Sequence, residues 1–179
     1  MTLSEVIKRA ASIIGLELEY DYDAPSAALT KLIDCANMIY SELTLEHVPL
    51  KTKEYVDVVG GECNYSDLSK NVREILSVRY NGNKLKFTLF PTYFALSEEI
   101  DGEVEVEYLF HMGELNESDN LILPPQFTVH VIALGVVSEF YYRSGMVDEA
   151  TFYKSRYDNA ITNLTRSLKS FRVPARRFI

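Results

Sequence analysis

The spacing of apolar residues changes twice along the chain, and this limits the fold more than any other feature. In residues 2–14, Val6, Ile7, Ala10, Ala11 and Ile14 recur at three and four positions, which draws one stripe on a helix. Thr2 or Ser4 suits the N-cap, and Gly15 suits the stop. The connector LELEYDYDAPS ends in a breaker, Pro25, and a cap, Ser26. A second helix is expected over about residues 26–43, with Leu29, Leu32, Ile33, Ala36, Ile39, Tyr40 and Leu43 on one face. Isolated helices of this length are marginal in water, so both stripes need something to pack against.

After Val48-Pro49 the period shortens to two. KTKEYVDVVGG is rich in β-branched residues, REILSVRY alternates from Leu76 to Tyr80, and KLKFTL repeats the pattern. Asn81-Gly82 lies between the last two, and both residues tolerate the positive φ of a type I′ turn, which predicts a hairpin. In GEVEVEYLF, Glu103, Glu105 and Glu107 alternate with Val104, Val106 and Tyr108. The stretch 51–110 is therefore expected to form one antiparallel sheet of four or five short strands with one wet face.

Helical spacing returns after Leu123-Pro124-Pro125, with a helix expected from about residue 125 to 144 and Val129, Ile132, Ala133, Val136, Val137 and Phe140 on one side. Gly145 marks its end and Asp148 is the expected cap of a last helix, whose inner face carries Ala150, Tyr153, Tyr157, Ile161, Leu164 and Leu168. The short join predicts an antiparallel helix hairpin. The fold class that follows is α+β: a four-helix bundle-like core interrupted by a small antiparallel β subdomain. The expected divisions are residues 1–48, 49–122, 123–169 and an extended arm, 170–179.

Composition removes several classes of function. With 47% hydrophobic and 25% charged residues, the 179-residue chain is neither disordered nor fibrous. Cys35 and Cys63 make no disulfide framework and no zinc set, which fits a reducing compartment. The opening MTLSEVIKRAASIIG carries Glu5 and reads as a helix rather than a secretory signal, and no run approaches a membrane span. Eight scattered glycines satisfy neither a P-loop nor a dinucleotide fingerprint. Asp21-Tyr22-Asp23 opens like a calcium loop, yet Ser26 and Leu32 stand where such a loop requires Gly and Glu. His47, His111 and His130 form no helical ligand pair. The expectation is no catalytic residue, no cofactor and no metal.

Charge is divided unevenly. Residues 98–120 hold nine acids and no Lys or Arg, which reads as the wet face of a sheet or as an acidic surface, centred on Glu103, Glu105 and Glu107, that faces another subunit or passing DNA. The last 14 residues carry +5, which leaves −13 of the net −8 on the first 165. SFRVPARRFI cannot continue a helix past Pro174, and it combines Phe171, Val173, Phe178 and Ile179 with Arg172, Arg176 and Arg177. Exposed, it would leave large apolar side chains in water, so it either folds back on its own subunit or, the favoured reading, docks on a partner through aromatic and Arg anchors. A third reading, nucleic-acid binding by Arg with interleaved Phe, is opposed by the acidity of the whole chain.

The helix pair ending in NMIYSEL, the VRYNGNKL hairpin, the VEVEYLF strand and the block LPPQFTVHVIALGVVSEFYYRSGMVDEATFYKSRYDNAITNL followed by the basic tail resemble the head-to-tail adaptor (neck connector) proteins of tailed bacteriophages. The resemblance implies a structural virion protein, assembled in the host cytoplasm as a ring, commonly of twelve copies, between portal and tail or nozzle. It further implies that the C-terminal arm clasps the portal and that DNA passes the channel without sequence-specific binding or contact with a membrane. Members share no catalytic residues. Two other readings compete: an intracellular protein-binding module with a docking tail, and a cell-wall or nucleic-acid hydrolase that relies on the carboxylates.

Overall fold

The computed structural model describes residues 1–17 and 26–168. Within them the chain is α+β, with four α-helices and two antiparallel sheets. In order these are α1 (Leu3–Ile14), α2 (Ala27–Glu46), β1 (Leu50–Val58), β2 (Glu62–Asn64), β3 (Asn71–Tyr80), β4 (Asn83–Leu85), β5 (Phe87–Leu89), β6 (Tyr93–Leu96), β7 (Gly102–His111), α3 (Val129–Arg143) and α4 (Val147–Leu168). Two compact units divide the chain at Tyr40/Ser41 and Leu115/Asn116, so the boundary drawn from sequence at 122/123 lies inside the helical unit.

In the helical unit, Thr2 is the cap of α1. Its Oγ1 accepts from Glu5 N at 3.2 Å, and Glu5 Oε2 accepts from Thr2 N at 2.8 Å. Leu3 and Ser4 donate their free N–H groups to the carbonyls of Asp119 and Glu117, which fastens residues 116–121 to the start of the helix. Ser26 Oγ accepts from Leu29 N at the start of α2, which runs three residues beyond Leu43. Helix α3 begins later than expected. Pro124 and Pro125 form a turn closed by Phe127 N–H on the Pro124 carbonyl, and Thr128 supplies the cap.

The expected single stripe on α3 is also replaced, because every residue from Ile132 to Ser138 is buried. A helix covered on all sides is the central element of its unit. Helix α4 begins at Val147, so Asp148 is not its cap; with Glu149 it lies in the first turn, where carboxylates complement the helix dipole. Ala150, Tyr157 and Ile161 are buried, while Tyr153 and Leu164 are half-buried.

The β unit departs from the single sheet read from sequence. Its seven strands form a four-stranded sheet, β1-β7-β3-β4, and a three-stranded sheet, β2-β6-β5. KLKFTL is not one strand: it leaves the first sheet after Leu85 and enters the second at Phe87, and between them the Lys86 carbonyl accepts from Ser97 N at 3.0 Å. The Asn81-Gly82 hairpin forms as expected, with φ of 48° and 82° and Tyr80 paired with Asn83. Both sheets contribute to one core, in which Val56, Val78, Val104, Val106 and Tyr108 from the first meet Cys63 and Phe94 from the second.

Glu54 shares the inner side of β1 with Val56. Its Oε1 accepts from the Tyr108 hydroxyl at 2.6 Å and from Ser69 N at 2.8 Å, while Lys70 N donates to the Tyr108 oxygen at 3.3 Å. Burial raises the Glu54 pKa, but the hydrogen bonds from Ser69 and Tyr108 outweigh it and leave the carboxyl below its usual value. A depressed folded-state pKa stabilises the fold above the unfolded value, about 4.3, and that contribution is lost as pH falls through the folded pKa. Glu54→Gln should therefore weaken the fold by about 1 kcal/mol at neutral pH. Its urea midpoint should also fall less than the wild type's when the pH is lowered below about 4.3. Parallel midpoint curves for the two proteins would contradict the assignment.

Candidate interaction site

The corner between α3 and α4 is built by a Schellman motif. Gly145, with φ 77°, donates its N–H to the Tyr142 carbonyl, and Met146 donates to that of Tyr141, both at 3.0 Å. The motif reverses the chain within three residues and brings two aromatic-rich helices together. Tyr141 stacks on Tyr153 with centroids 5.7 Å apart, and Phe152 meets Tyr153 edge-on at 5.2 Å. The Ser138 hydroxyl donates to the Ala150 carbonyl at 2.9 Å and ties the helices together below the corner.

Around this corner four large apolar side chains face solvent: Tyr142 (66% exposed), Met146 (50%), Val147 (58%) and Phe152 (58%). Of these, Tyr142 borders an open groove of about 570 Å³ between the helices, lined among others by Glu139, Thr151, Lys154, Asp158 and Asn159. Its charges cancel locally, since Arg143 pairs with Glu139 at 2.8 Å and Lys154 with Asp158 at 3.3 Å. Such surface pairs contribute only about 0.3–0.5 kcal/mol each. Binding here would draw on burial of the apolar side chains, with Tyr142 and Phe152, over which Arg156 lies at 5.6 Å, as anchors. Periodicity did not reveal this patch, because it reports the inner face of a helix and these residues lie outside it.

Glu103, Glu105 and Glu107 do share one face of β7, the strand between β1 and β3. That face is not bare acid. Lys51 pairs with Glu107, Lys53 lies 3.5 Å from Glu105, Tyr55 donates to Glu105 at 3.3 Å, and Ser77 donates to Glu107 at 2.9 Å. The bonds from Lys51 and Ser77 hold the Glu107 pKa below its usual value. Glu103 is opposite Asp57 and is exposed. The acidity apparent in the linear run is thus partly balanced by lysines that are some 50 residues away in sequence.

Arm residues Phe171, Arg172, Val173, Arg176, Arg177, Phe178 and Ile179 lie outside the described residues, as do Asp21 and Asp23. Arg166 is exposed on the last turn of α4. Cys35 and Cys63 are buried, and burial pushes both thiols up to about 11, so they are protonated at neutral pH. The three histidines are exposed, and Arg9 donates to His130 Nδ1 at 3.4 Å. Among the described residues, no group of three or more His, Cys, Asp or Glu could hold a metal, and no helix is long and apolar enough to cross a membrane. No family model and no curated protein matches the chain.

Proposed function

We propose that the chain is a structural subunit of a tailed-bacteriophage neck, a ring between portal and tail that extends the DNA channel and clasps the portal through residues 170–179. In this reading the four helices pack as a bundle beside the channel, and neighbouring copies meet through two different faces. The observation that supports it best is the α3–α4 corner, where Tyr142, Met146, Val147 and Phe152 leave an apolar patch exposed on a subunit with a well-formed core. The apolar and basic tail supports it from the sequence, since such a terminus gains most from docking.

Deletion of residues 170–179 should leave a folded chain with unchanged helical content that binds portal rings at least about 100-fold more weakly, because two lost anchors of about 2 kcal/mol each exceed that factor. Co-sedimentation with portal rings from the same genome would measure it. Unchanged affinity of the truncated chain would remove the arm from the account, and a full-length chain that forms no ring on the portal would remove the neck reading.

A further inference from the structure

We infer that Arg79, Lys84 and Lys86 form a phosphate-contacting strip that holds the backbone of duplex nucleic acid without reading its sequence. This goes beyond the neck reading and does not depend on the arm. The four-stranded sheet divides its cations unequally: Lys51 and Lys53 on β1 are occupied by Glu105 and Glu107. Arg79 on β3, Lys84 on β4 and Lys86 beyond it are all exposed, and among the described residues no ion pair or side-chain hydrogen bond holds them. Arg79 is the cross-strand partner of Lys84. Lys84 and Lys86 are two positions apart on extended chain, roughly 6.6 Å, and border one concavity of about 370 Å³ with Ser97.

The chemistry of the strip selects its occupant. Asn81, Gly82 and Asn83 extend it at the exposed hairpin tip, so the surface offers guanidinium, ammonium, amide and hydroxyl donors. Leu85, the apolar residue between the lysines, is half-buried and supplies no anchor of the kind a protein interface needs. Donors and cations without an apolar centre suit phosphate oxygens, which position a duplex and carry no sequence information. Glu98 is the carboxylate beside the lysines, and Glu105, opposite Arg79, is already engaged by Lys53 and Tyr55. The chain's net −8 acts mainly at distances screened at physiological salt, with a Debye length of about 8 Å, whereas the strip acts in contact.

The test is binding of the full chain to a fluorescent random-sequence DNA duplex between about 50 and 200 mM salt. The basic C-terminal residues form a background common to all variants, so the difference in salt slope is the readout. Each lost phosphate contact removes about 0.9 from the slope of log affinity against log salt. Lys84→Gln with Lys86→Gln should therefore reduce it by about 1.8, so that over this range the wild type loses about 12-fold more affinity than the variant. Lys51→Gln with Lys70→Gln makes the same change in net charge at the far end of the sheet, away from Glu105 and Arg79, and should leave the slope unaltered. Absence of wild-type binding, an unchanged slope in the first variant, or an equal change in the second overturns the inference. Altered self-association with unaltered DNA binding overturns it too, and assigns the strip to a second copy of the chain.

Discussion

Phe94→Ala is expected to destabilise the β unit by about 3–5 kcal/mol, a large part of the roughly 5–15 kcal/mol that holds a domain together. Phe94 lies on β6, the central strand of the three-stranded sheet, and is fully buried. Its ring meets Phe87 at 6.2 Å and Tyr65 at 6.4 Å, and its register partner on β2 is the buried Cys63. Truncation removes the transfer free energy of the ring and leaves a cavity between two sheets whose strands are hydrogen-bonded and cannot close over it. The melting temperature should fall by at least about 6 °C, given ~2–4 °C per kcal/mol for a chain of this size. Phe94→Leu keeps most of the volume and should lower it much less. Thermal unfolding of the three proteins followed by near-ultraviolet circular dichroism measures this, and a change under about 2 °C for the Ala variant would show that the second sheet is not part of the core.

The sequence reading found what depends on neighbouring residues. Thr2, one of the two caps offered for the first helix, and Asn81 with Gly82 are signals written within a few residues, and each forms the cap or turn its chemistry dictates. What it missed depends on partners far along the chain. The alternation in KLKFTL runs on without a break, and the change of sheets at Lys86 is set by Ser97 and by the pairing of β5 with β6. The carboxylates of β7 looked like an acidic surface because Lys51 and Lys53, on a strand that precedes them by some 50 residues, had no reason in sequence to stand beside them. The same distance effect left Arg79, Lys84 and Lys86 unremarked, since only the pairing of Lys51 and Lys53 sets these three apart as cations that no ion pair or side-chain hydrogen bond holds among the described residues.

The helical unit has a corresponding weak point at Gly135, in the middle of α3. A glycine there forgoes about 1 kcal/mol of helix propensity relative to Ala, so the fold must use the missing side chain. A Cβ built at Gly135 would lie 3.0 Å from Ile39 Cγ2 on α2 and 3.0 Å from Tyr157 Cε2 on α4. Both neighbours are buried, Ile39 at 3% exposure and Tyr157 at 1%, so neither side chain has space into which to withdraw. Gly135→Ala therefore gains propensity and loses packing, for a net loss of about 1 kcal/mol. Gly135→Val adds two methyl groups against the same walls, and its overpacking should cost about 3 kcal/mol and lower the melting temperature by roughly 6–12 °C. Relief is available from the other side of the contact: Ile39→Ala in the Gly135→Val background should restore part of the loss, a coupling that residues touching one another show and distant ones do not. Urea unfolding of the two single variants and the double variant measures that coupling, and strictly additive losses would mean that Gly135 does not set the approach of α2 to α3.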